Sequence, residues 1–213
     1  RTFTEKVLLL LEYRGVGAPV KPVFFKLVSS ALEQQEEKFE IRVVFKPWLS
    51  SSPTDIITDF FSILSKELAP YIPNFQNKLN EYALAISEVN FDPIVNSGLK
   101  LLRINLPSKS TNQRYDDIKK TLEKSRVKIL IFIDDIDRLS KDEIMEVFRL
   151  VRNTANFPYC QFLIAYDRIY VKRTIRIPSA DKYLQKVFNL EITLPAFDSS
   201  IIRESLNKEI REH

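Results

Sequence analysis

The sequence is poor in cysteine and histidine, and it has no long apolar run. Cys160 and His213 are the only residues of their kinds among 213. One cysteine excludes a disulfide framework, and one histidine beside it argues against a zinc site and against Ser-His or Cys-His nucleophilic catalysis. No apolar run reaches the about 18 residues of a membrane span, and no signal peptide opens the chain. We therefore expect a reducing, aqueous compartment, the cytoplasm.

The charge balance is close to neutral and points to no particular partner. Lys and Arg number 32 and Asp and Glu number 28, which gives a net charge of +4. This balance alone demands neither nucleic acid nor a membrane surface, so a nucleic-acid partner stays open. The chain begins at Arg1 and its single methionine is Met145. We therefore expect it to be a portion of a longer protein.

Short apolar strands alternate with amphipathic helices along most of the chain. Helical patterns include one whose first turn holds Pro53 with Ser52 as the N-cap, and one that starts with a capping box at Ser140 and Glu143 and runs to about residue 156. This alternation predicts βαβ crossovers and a three-layer α/β fold with a mostly parallel sheet. The most apolar strand is expected to be central. The predicted strands are residues 7–12, 39–48, 127–133, 161–165 and 190–194.

Acidic residues follow two of these strands, and ligands bind at the carboxyl ends of strands in such sheets. Asp134, Asp135 and Asp137 follow the most apolar strand, and Asp167 follows the next one. Paired carboxylates after a buried strand fit a Mg²⁺ site with nucleotide phosphates, in which one acid orients the metal's water shell and another polarises an attacking water. The alternative is a solvated acidic turn that caps the following helix. A metal-dependent nuclease built on the first three aspartates is a weaker alternative, because we find no accompanying acid and lysine.

Two arginines stand beside these aspartates. Arg138 and Arg168 either neutralise charge on a bound phosphate or pair with neighbouring aspartates and fix the strand ends. The residues themselves leave both roles open, and we favour the structural role for at least one of the two.

The loop after the first strand is where a phosphate would be bound. A P-loop needs G-x-x-x-x-G-K-[ST], and here Gly15 and Lys21 are in place, with Gly17 between them. Val20 stands at the second glycine position and Pro22 at the hydroxyl position. A Cβ and a missing N–H at these positions predict poor triphosphate binding if the loop is as the sequence reads.

Several motifs together resemble the KAP family of P-loop NTPases. The strings that carry the resemblance cover nearly the whole chain: VVFKPWLSSSPTDIITDFFSIL at 43–64, ILIFIDDIDRLSKDEIMEVFRLVR at 129–152, QFLIAYDRIYV at 161–171 and KYLQKVFNLEITLP at 182–195. The order of IDDIDR before YDR is fairly specific. The resemblance implies a three-layer P-loop NTPase fold with a helical insertion between the Walker A and Walker B regions.

The same resemblance implies roles for the site residues. Asp134 matches the Mg²⁺-associated Walker B acid, Asp135 the catalytic acid, and Asp167 the polar residue that senses the γ-phosphate. Lys21 matches the Walker A lysine in position, and the glycines around it belong to the phosphate loop. ATP and Mg²⁺ are the implied cofactors.

The resemblance also implies an organisation and a biological role. We expect one KAP-type domain over residues 1–213, with a helical insertion at 70–126 and a C-terminal helical part beginning at 198–213. The implied function is an ATPase that acts as the motor or switch of a larger assembly, with a protein partner or further copies of itself. Anti-phage defence and membrane-associated signalling, peripheral to the inner membrane, are the implied contexts.

The phosphate loop leaves two interpretations open. Either residues are missing from the loop and the complete protein hydrolyses ATP, or the chain is an inactive P-loop fold that serves as a scaffold for protein interaction.

Overall fold

The computed structural model describes residues 9–12, 40–88 and 109–193 of the chain. Five strands form one sheet: β1 (Leu9–Glu12), β2 (Ile41–Phe45), β3 (Ile129–Ile133), β4 (Cys160–Tyr166) and β5 (Leu190–Thr193). The strand order is β2-β3-β4-β1-β5, and every pairing is parallel. The predicted parallel sheet is therefore confirmed. The strand β3 is interior, between β2 and β4, while β4 takes the middle position.

The burial of the strands reflects their positions. All five residues of β3 are buried, as expected for a strand covered on both faces. In β2, which stands at one edge of the sheet, Ile41, Val43 and Phe45 are buried and the two residues between them are exposed. The buried residues of β2 lie in register with Ile129, Ile131 and Ile133 of β3, so that they share one face of the sheet.

Six helices complete the described part of the chain. They are α1 (Asp55–Leu68), α2 (Phe75–Glu88), α3 (Thr111–Ser125), α4 (Lys141–Arg149), α5 (Arg168–Ile175) and α6 (Ala180–Val187). The helix α4 continues into a π-helical turn, Leu150–Thr154, which completes the helix predicted to reach about residue 156. The capping box at Ser140 and Glu143 is confirmed.

The start of α1 differs from the prediction. The helix begins at Asp55 with Thr54 as the N-cap residue, so Ser52 is not the cap and Pro53 lies before the helix. The Asp55 amide donates to the Ser52 carbonyl at 3.1 Å, and the Ser52 hydroxyl donates to the Asp55 carboxylate at 2.7 Å. These two bonds close a turn over residues 52–55, and this turn delays the helix.

The sheet and the helices share one apolar core. Phe60 of α1 packs against Phe45 of β2 at 5.4 Å between ring centroids and against Phe162 of β4 at 6.2 Å. The helices α2 and α3 fall in the predicted insertion and are joined by an Arg114–Glu81 ion pair of 2.8 Å. Leu130 and Phe132, on the other face of β3, are buried too. The α/β fold with covered sheet faces and a helical insertion agrees with the sequence prediction.

The remaining predicted segments fall outside the described residues. They include the phosphate loop and the C-terminal part at 198–213. Among the helices that the structure describes, none combines the length and apolarity needed to cross a membrane.

Candidate nucleotide site at the carboxyl edge of the sheet

The register of the sheet brings the predicted site residues to the same edge. Ile133, the last residue of β3, pairs with Phe45 of β2 and with Ile164 of β4. Asp134 follows directly, and its amide donates to the Phe45 carbonyl at 3.4 Å, which extends the β2–β3 ladder by one step. On the other side, Tyr166 of β4 pairs with Glu12 of β1. Asp134, Asp135 and Asp167 therefore leave neighbouring strands at the end where β1 passes into the predicted phosphate loop.

The two aspartates after β3 form a compact turn. The amide of Asp135 donates to Oδ1 of Asp134 at 2.7 Å. Asp135 itself has left-handed backbone angles, φ 61° and ψ 31°, a conformation that Asp tolerates better than most residues. A 3₁₀ turn, Ile136–Arg138, follows, and the Arg138 amide donates to the Asp135 carbonyl at 3.0 Å. The turn keeps the Asp135 side chain at the sheet edge, where 15% of its surface is exposed.

Asp167 is fixed as the N-cap of α5. Its carboxylate accepts a hydrogen bond of 2.9 Å from the Tyr170 amide. The Tyr170 hydroxyl in turn donates to the Leu139 carbonyl at 3.0 Å, beyond the turn that follows β3. The ends of β3 and β4 are thus joined by one tyrosine, which the sequence interpretation did not single out. Its only sequence signal was its position three residues after the strand-end aspartate, where an N-cap carboxylate finds its partner amide.

The two arginines have different surroundings. Nε of Arg138 lies 3.6 Å from Oδ1 of Asp135, and its guanidinium carbon lies 5.1 Å from the centroid of the Trp48 ring. Arg168 forms ion pairs of 2.7 Å with Asp181 and 2.6 Å with Glu191. The hydrogen bond that Arg168 donates to the Asp181 carboxylate raises the pKa of Arg168. These ion pairs agree with a structural role for Arg168. Its predicted contact with phosphate stays a prediction.

Trp48 lies at this edge instead of in the core. Of its side chain, 39% is exposed. The predicted strand at 39–48 included Trp48, whereas β2 ends at Phe45 and Trp48 lies in the following turn, Pro47–Leu49. A cleft of about 300 Å³ opens nearby, between the end of β2 and α1. The cleft is lined by Val44, Phe45, Lys46, Leu49, Ser50, Asp59, Ser62 and Ile63, and none of the three site aspartates belongs to it.

The acidic edge suits a magnesium ion held through few protein ligands. Mg²⁺ keeps several waters and takes one or two carboxylates plus phosphate oxygens, and Asp134 supplies a carboxylate at a strand end. Among the described residues, no three Asp, Glu, His or Cys side chains come together as metal ligands. The predicted phosphate ligands Gly15, Gly17 and Lys21 lie outside the described residues.

Comparisons with known proteins agree with this architecture. The Aeropyrum pernix ORC2 protein in its ADP form superimposes with a TM-score of 0.51 at 12% identity, over 95% of this chain and 45% of that one. The same protein in ADPNP-ADP complexes gives a TM-score of 0.50 at 10% identity, over 97% of this chain and 46% of that one. At these identities the likeness concerns the fold alone.

Sequence similarity is more specific. The phage T7 exclusion protein of Escherichia coli K12 is 26% identical in an alignment 208 residues long that covers 90% of this chain. The chain spans about a quarter of that relative, 26% of its length. The KAP family P-loop domain matches residues 15–213. The chain therefore belongs to the KAP family of P-loop domains.

Proposed function

We propose that this domain binds ATP with Mg²⁺ at the carboxyl edge of its sheet, hydrolyses it, and so serves as the motor or switch of a larger assembly. The observation that carries the proposal is the register, which brings Asp134, Asp135 and Asp167 to the strand ends beside the start of the predicted phosphate loop. Membership of a P-loop family supports nucleotide binding at this edge.

In this proposal each residue has a separate task. Asp134 would hold Mg²⁺, and bound Mg²⁺ would neutralise charge on the phosphates. Asp135 accepts a proton from the attacking water, and Asp167 senses the γ-phosphate from the adjacent strand. Gly15, Gly17 and Lys21 surround the phosphates, since backbone N–H groups and a lysine are suited to them. The ion pairs of Arg168 support a role in fixing the strand ends.

The biological context is also a proposal. A curated relative that covers 90% of this chain is a phage exclusion protein, which supports a role in defence against phage. The chain corresponds to about a quarter of that relative, so the activity of the whole relative is a proposal for this chain. We place this activity in the cytoplasm, with a protein partner or further copies of the chain.

The test is calorimetric titration of the protein with ATP-Mg²⁺, together with phosphate release. We expect binding that Lys21→Ala abolishes. Asp135→Asn should keep the affinity and lose turnover by roughly 10²–10⁴-fold, because only transition-state stabilisation is removed. Asp142→Asn is the matched control, an exposed carboxylate in the first turn of α4. An Asp135→Asn protein that turns over ATP like its parent contradicts the assignment.

The loop decides between the ATPase and a second candidate, an inactive scaffold. A charge-assisted hydrogen bond is worth roughly 1.5–3 kcal/mol, and a micromolar affinity corresponds to about 8 kcal/mol. The loss of two or three such bonds at Val20 and Pro22 would remove most of that affinity. No binding by the complete protein would favour the scaffold, while tight binding through an unchanged Val20–Pro22 loop would contradict the geometric reasoning.

A further inference from the structure

Arg138 joins two groups that leave neighbouring strands. One side of its side chain faces Asp135, with 3.6 Å between Nε and Oδ1, and its guanidinium lies over the Trp48 ring at 5.1 Å. Asp135 follows β3 and Trp48 follows β2, so the sheet itself sets the distance between the aromatic platform and the carboxylate. These three side chains form a continuous row along the carboxyl edge.

The Asp135–Arg138 pair alone would be a weak constraint. Half of the Arg138 side chain is exposed, 51%, and an exposed ion pair gains little because a long side chain must be ordered to form it. A planar guanidinium that lies on an aromatic ring has fewer conformations left to lose. The cation–π contact with Trp48 therefore favours the side-chain conformation in which Arg138 meets Asp135.

Trp48 is itself held firmly. It lies in a 3₁₀ turn, Pro47–Leu49, that begins with a buried proline of fixed φ. The Leu49 amide donates to the Lys46 carbonyl at 3.1 Å, and the Ser50 amide donates to the Pro47 carbonyl at 3.0 Å. The Trp48 side chain stays 39% exposed on this constrained turn, so it contributes little to the core. Its ring is instead available to the Arg138 guanidinium.

We propose that Trp48 and Arg138 act as a positioning pair that holds the Asp135 carboxylate in the orientation needed to accept a proton from the attacking water. This inference rests on the proposed ATPase function. It assigns to Arg138 a role through Asp135, in place of direct contact with phosphate. Displacement of a reacting group by as little as 1 Å can cost roughly a hundredfold in rate, so loss of the platform should be visible in turnover.

The test compares kcat and KM for ATP hydrolysis, and ATP-Mg²⁺ affinity by calorimetry, in conservative and disruptive variants. Trp48→Leu and Arg138→Gln should each lower kcat about tenfold or more, with KM and Kd within about twofold of the parent. Trp48→Phe should retain most of kcat because a ring remains. Arg138→Lys should behave like Arg138→Gln, since an ammonium lacks the planar surface.

The double variant Trp48→Leu/Arg138→Gln gives the decisive comparison. Two residues that act as one unit lose little more together than either loses alone, so we expect its kcat to equal that of the poorer single variant. Should Trp48→Leu fail to fold, as judged by circular dichroism, Arg138→Gln and Arg138→Lys carry the test.

Any other result of these measurements contradicts either this inference or the proposed function. An active parent whose Trp48→Leu or Arg138→Gln variant keeps its kcat overturns this inference and leaves the ATPase proposal standing. A loss of affinity in Arg138→Gln with kcat unchanged also overturns it, in favour of direct phosphate contact. A parent that neither binds nor hydrolyses ATP overturns the proposed function, and this inference with it.

Discussion

At the scale of single residues, Tyr170 makes the most direct link between the two acidic strand ends. Its amide donates to Asp167 at 2.9 Å and its hydroxyl donates to the Leu139 carbonyl at 3.0 Å. The two hydrogen bonds thus connect Asp167 with the segment that follows Asp135 without passing through the sheet. If Asp167 senses phosphate and Asp135 activates water, as proposed, this connection would couple the two roles.

Removal of the Tyr170 hydroxyl should weaken this link without disturbing the core. Tyr170→Phe loses a partly buried hydrogen bond, so we expect the free energy of unfolding to fall by about 0.5–1.5 kcal/mol in a denaturant titration. Tyr183→Phe is the matched control, because that tyrosine packs against Phe148 at 6.1 Å and the described contacts include no hydrogen bond of its hydroxyl. Equal losses in the two variants would contradict the assignment.

Arg168 offers a test between its two predicted roles. It contacts Asp181 and Glu191, and Lys172 also contacts Asp181 at 2.6 Å, so α5, α6 and β5 share one charge network. We expect Arg168→Gln to lower the melting temperature, by less at 1 M salt because exposed charges are screened there. ATP affinity should stay within about twofold of the parent. A large loss of affinity with unchanged melting would instead assign Arg168 to the phosphates.

At the scale of elements, two helices of the described part begin with complete capping boxes. Ser110 and Gln113 cap α3, and Ser140 and Glu143 cap α4. In each box the serine accepts from the backbone of the third helical residue and the long side chain accepts from the serine amide. The α4 box stands directly after the acidic turn of β3, whereas the α3 box belongs to the helical insertion.

These two boxes form a natural pair of variants. Ser140→Ala and Ser110→Ala should each cost about 0.5–2 kcal/mol of stability, because each removes a cap. If the proposed ATPase is correct, Ser140→Ala alone should also lower kcat, since loosening of α4 frees the turn that carries Asp135. The measurements are thermal unfolding and phosphate release, and equal kcat values in the two variants would refute the link between the α4 cap and the acidic turn.

An aromatic cluster joins the helical insertion to the sheet layer. Tyr82 of α2 packs against Phe61, Tyr115 and Phe157 at 5.4–6.0 Å between ring centroids. The Tyr82 hydroxyl donates to the Thr154 carbonyl at 2.9 Å. Burial raises the pKa of Tyr82 well above its ordinary value, and burial also raises that of Tyr115. Both phenols therefore stay protonated in the folded state at pH values where they ionise in the unfolded chain.

The expected consequence is alkaline destabilisation that starts near pH 10. Above the ordinary tyrosine pKa of about 10, the unfolded chain loses these protons while the folded chain retains them, so the free energy of unfolding falls with rising pH. Tyr82→Phe should lower stability by about 0.5–1.5 kcal/mol at pH 7 through the lost hydrogen bond. It should also show a shallower decline between pH 10 and 11. Urea titrations at these pH values check this, and parallel declines would contradict it.

The elements that follow from local pattern were predictable, and the contacts between distant segments were not. The apolar runs around β3 and β4 marked both strands and the aspartates after them, because a buried parallel strand needs little beyond its own residues to be recognised. The predicted beginning of α1 was wrong because the Ser52 hydroxyl donates a hydrogen bond to the Asp55 carboxylate instead of capping the helix. The sequence does not show which of these two hydrogen bonds forms. The stacking of Arg138 on Trp48 joins residues far apart in the chain, and only the strand order brings them together.

At the scale of the whole molecule, the apolar core is continuous. One cluster of buried side chains runs from β2 and α1 through α2 and α3 to β4, α5 and α6. No polar layer separates the helical insertion from the sheet within this cluster. This continuity supports the proposal of one domain over residues 1–213.

The chain should accordingly unfold in a single cooperative step. We expect the urea transitions followed by far-ultraviolet circular dichroism and by the fluorescence of Trp48, the only tryptophan, to coincide. Two separated transitions would show that the helical insertion at 70–126 unfolds by itself and would overturn the single-domain proposal. A Leu79→Ala variant in α2 should shift both transitions together, since Leu79 is fully buried in the shared cluster.

The strand order has a consequence for the order of assembly during synthesis. The only partners of β1 in the sheet are β4 and β5, and Leu9 pairs with Leu163 and Leu190. The ribosome makes β1 first among the described strands, yet its nearest partner follows about 150 residues later, which is roughly 8–30 s at 5–20 residues per second. Until then the leucines of β1 stay without their sheet partners, which is the state that chaperones recognise. The strand that leads toward the predicted phosphate loop therefore joins the sheet only after β4 has been made, and a chain that ends before β4 cannot bring the site aspartates together.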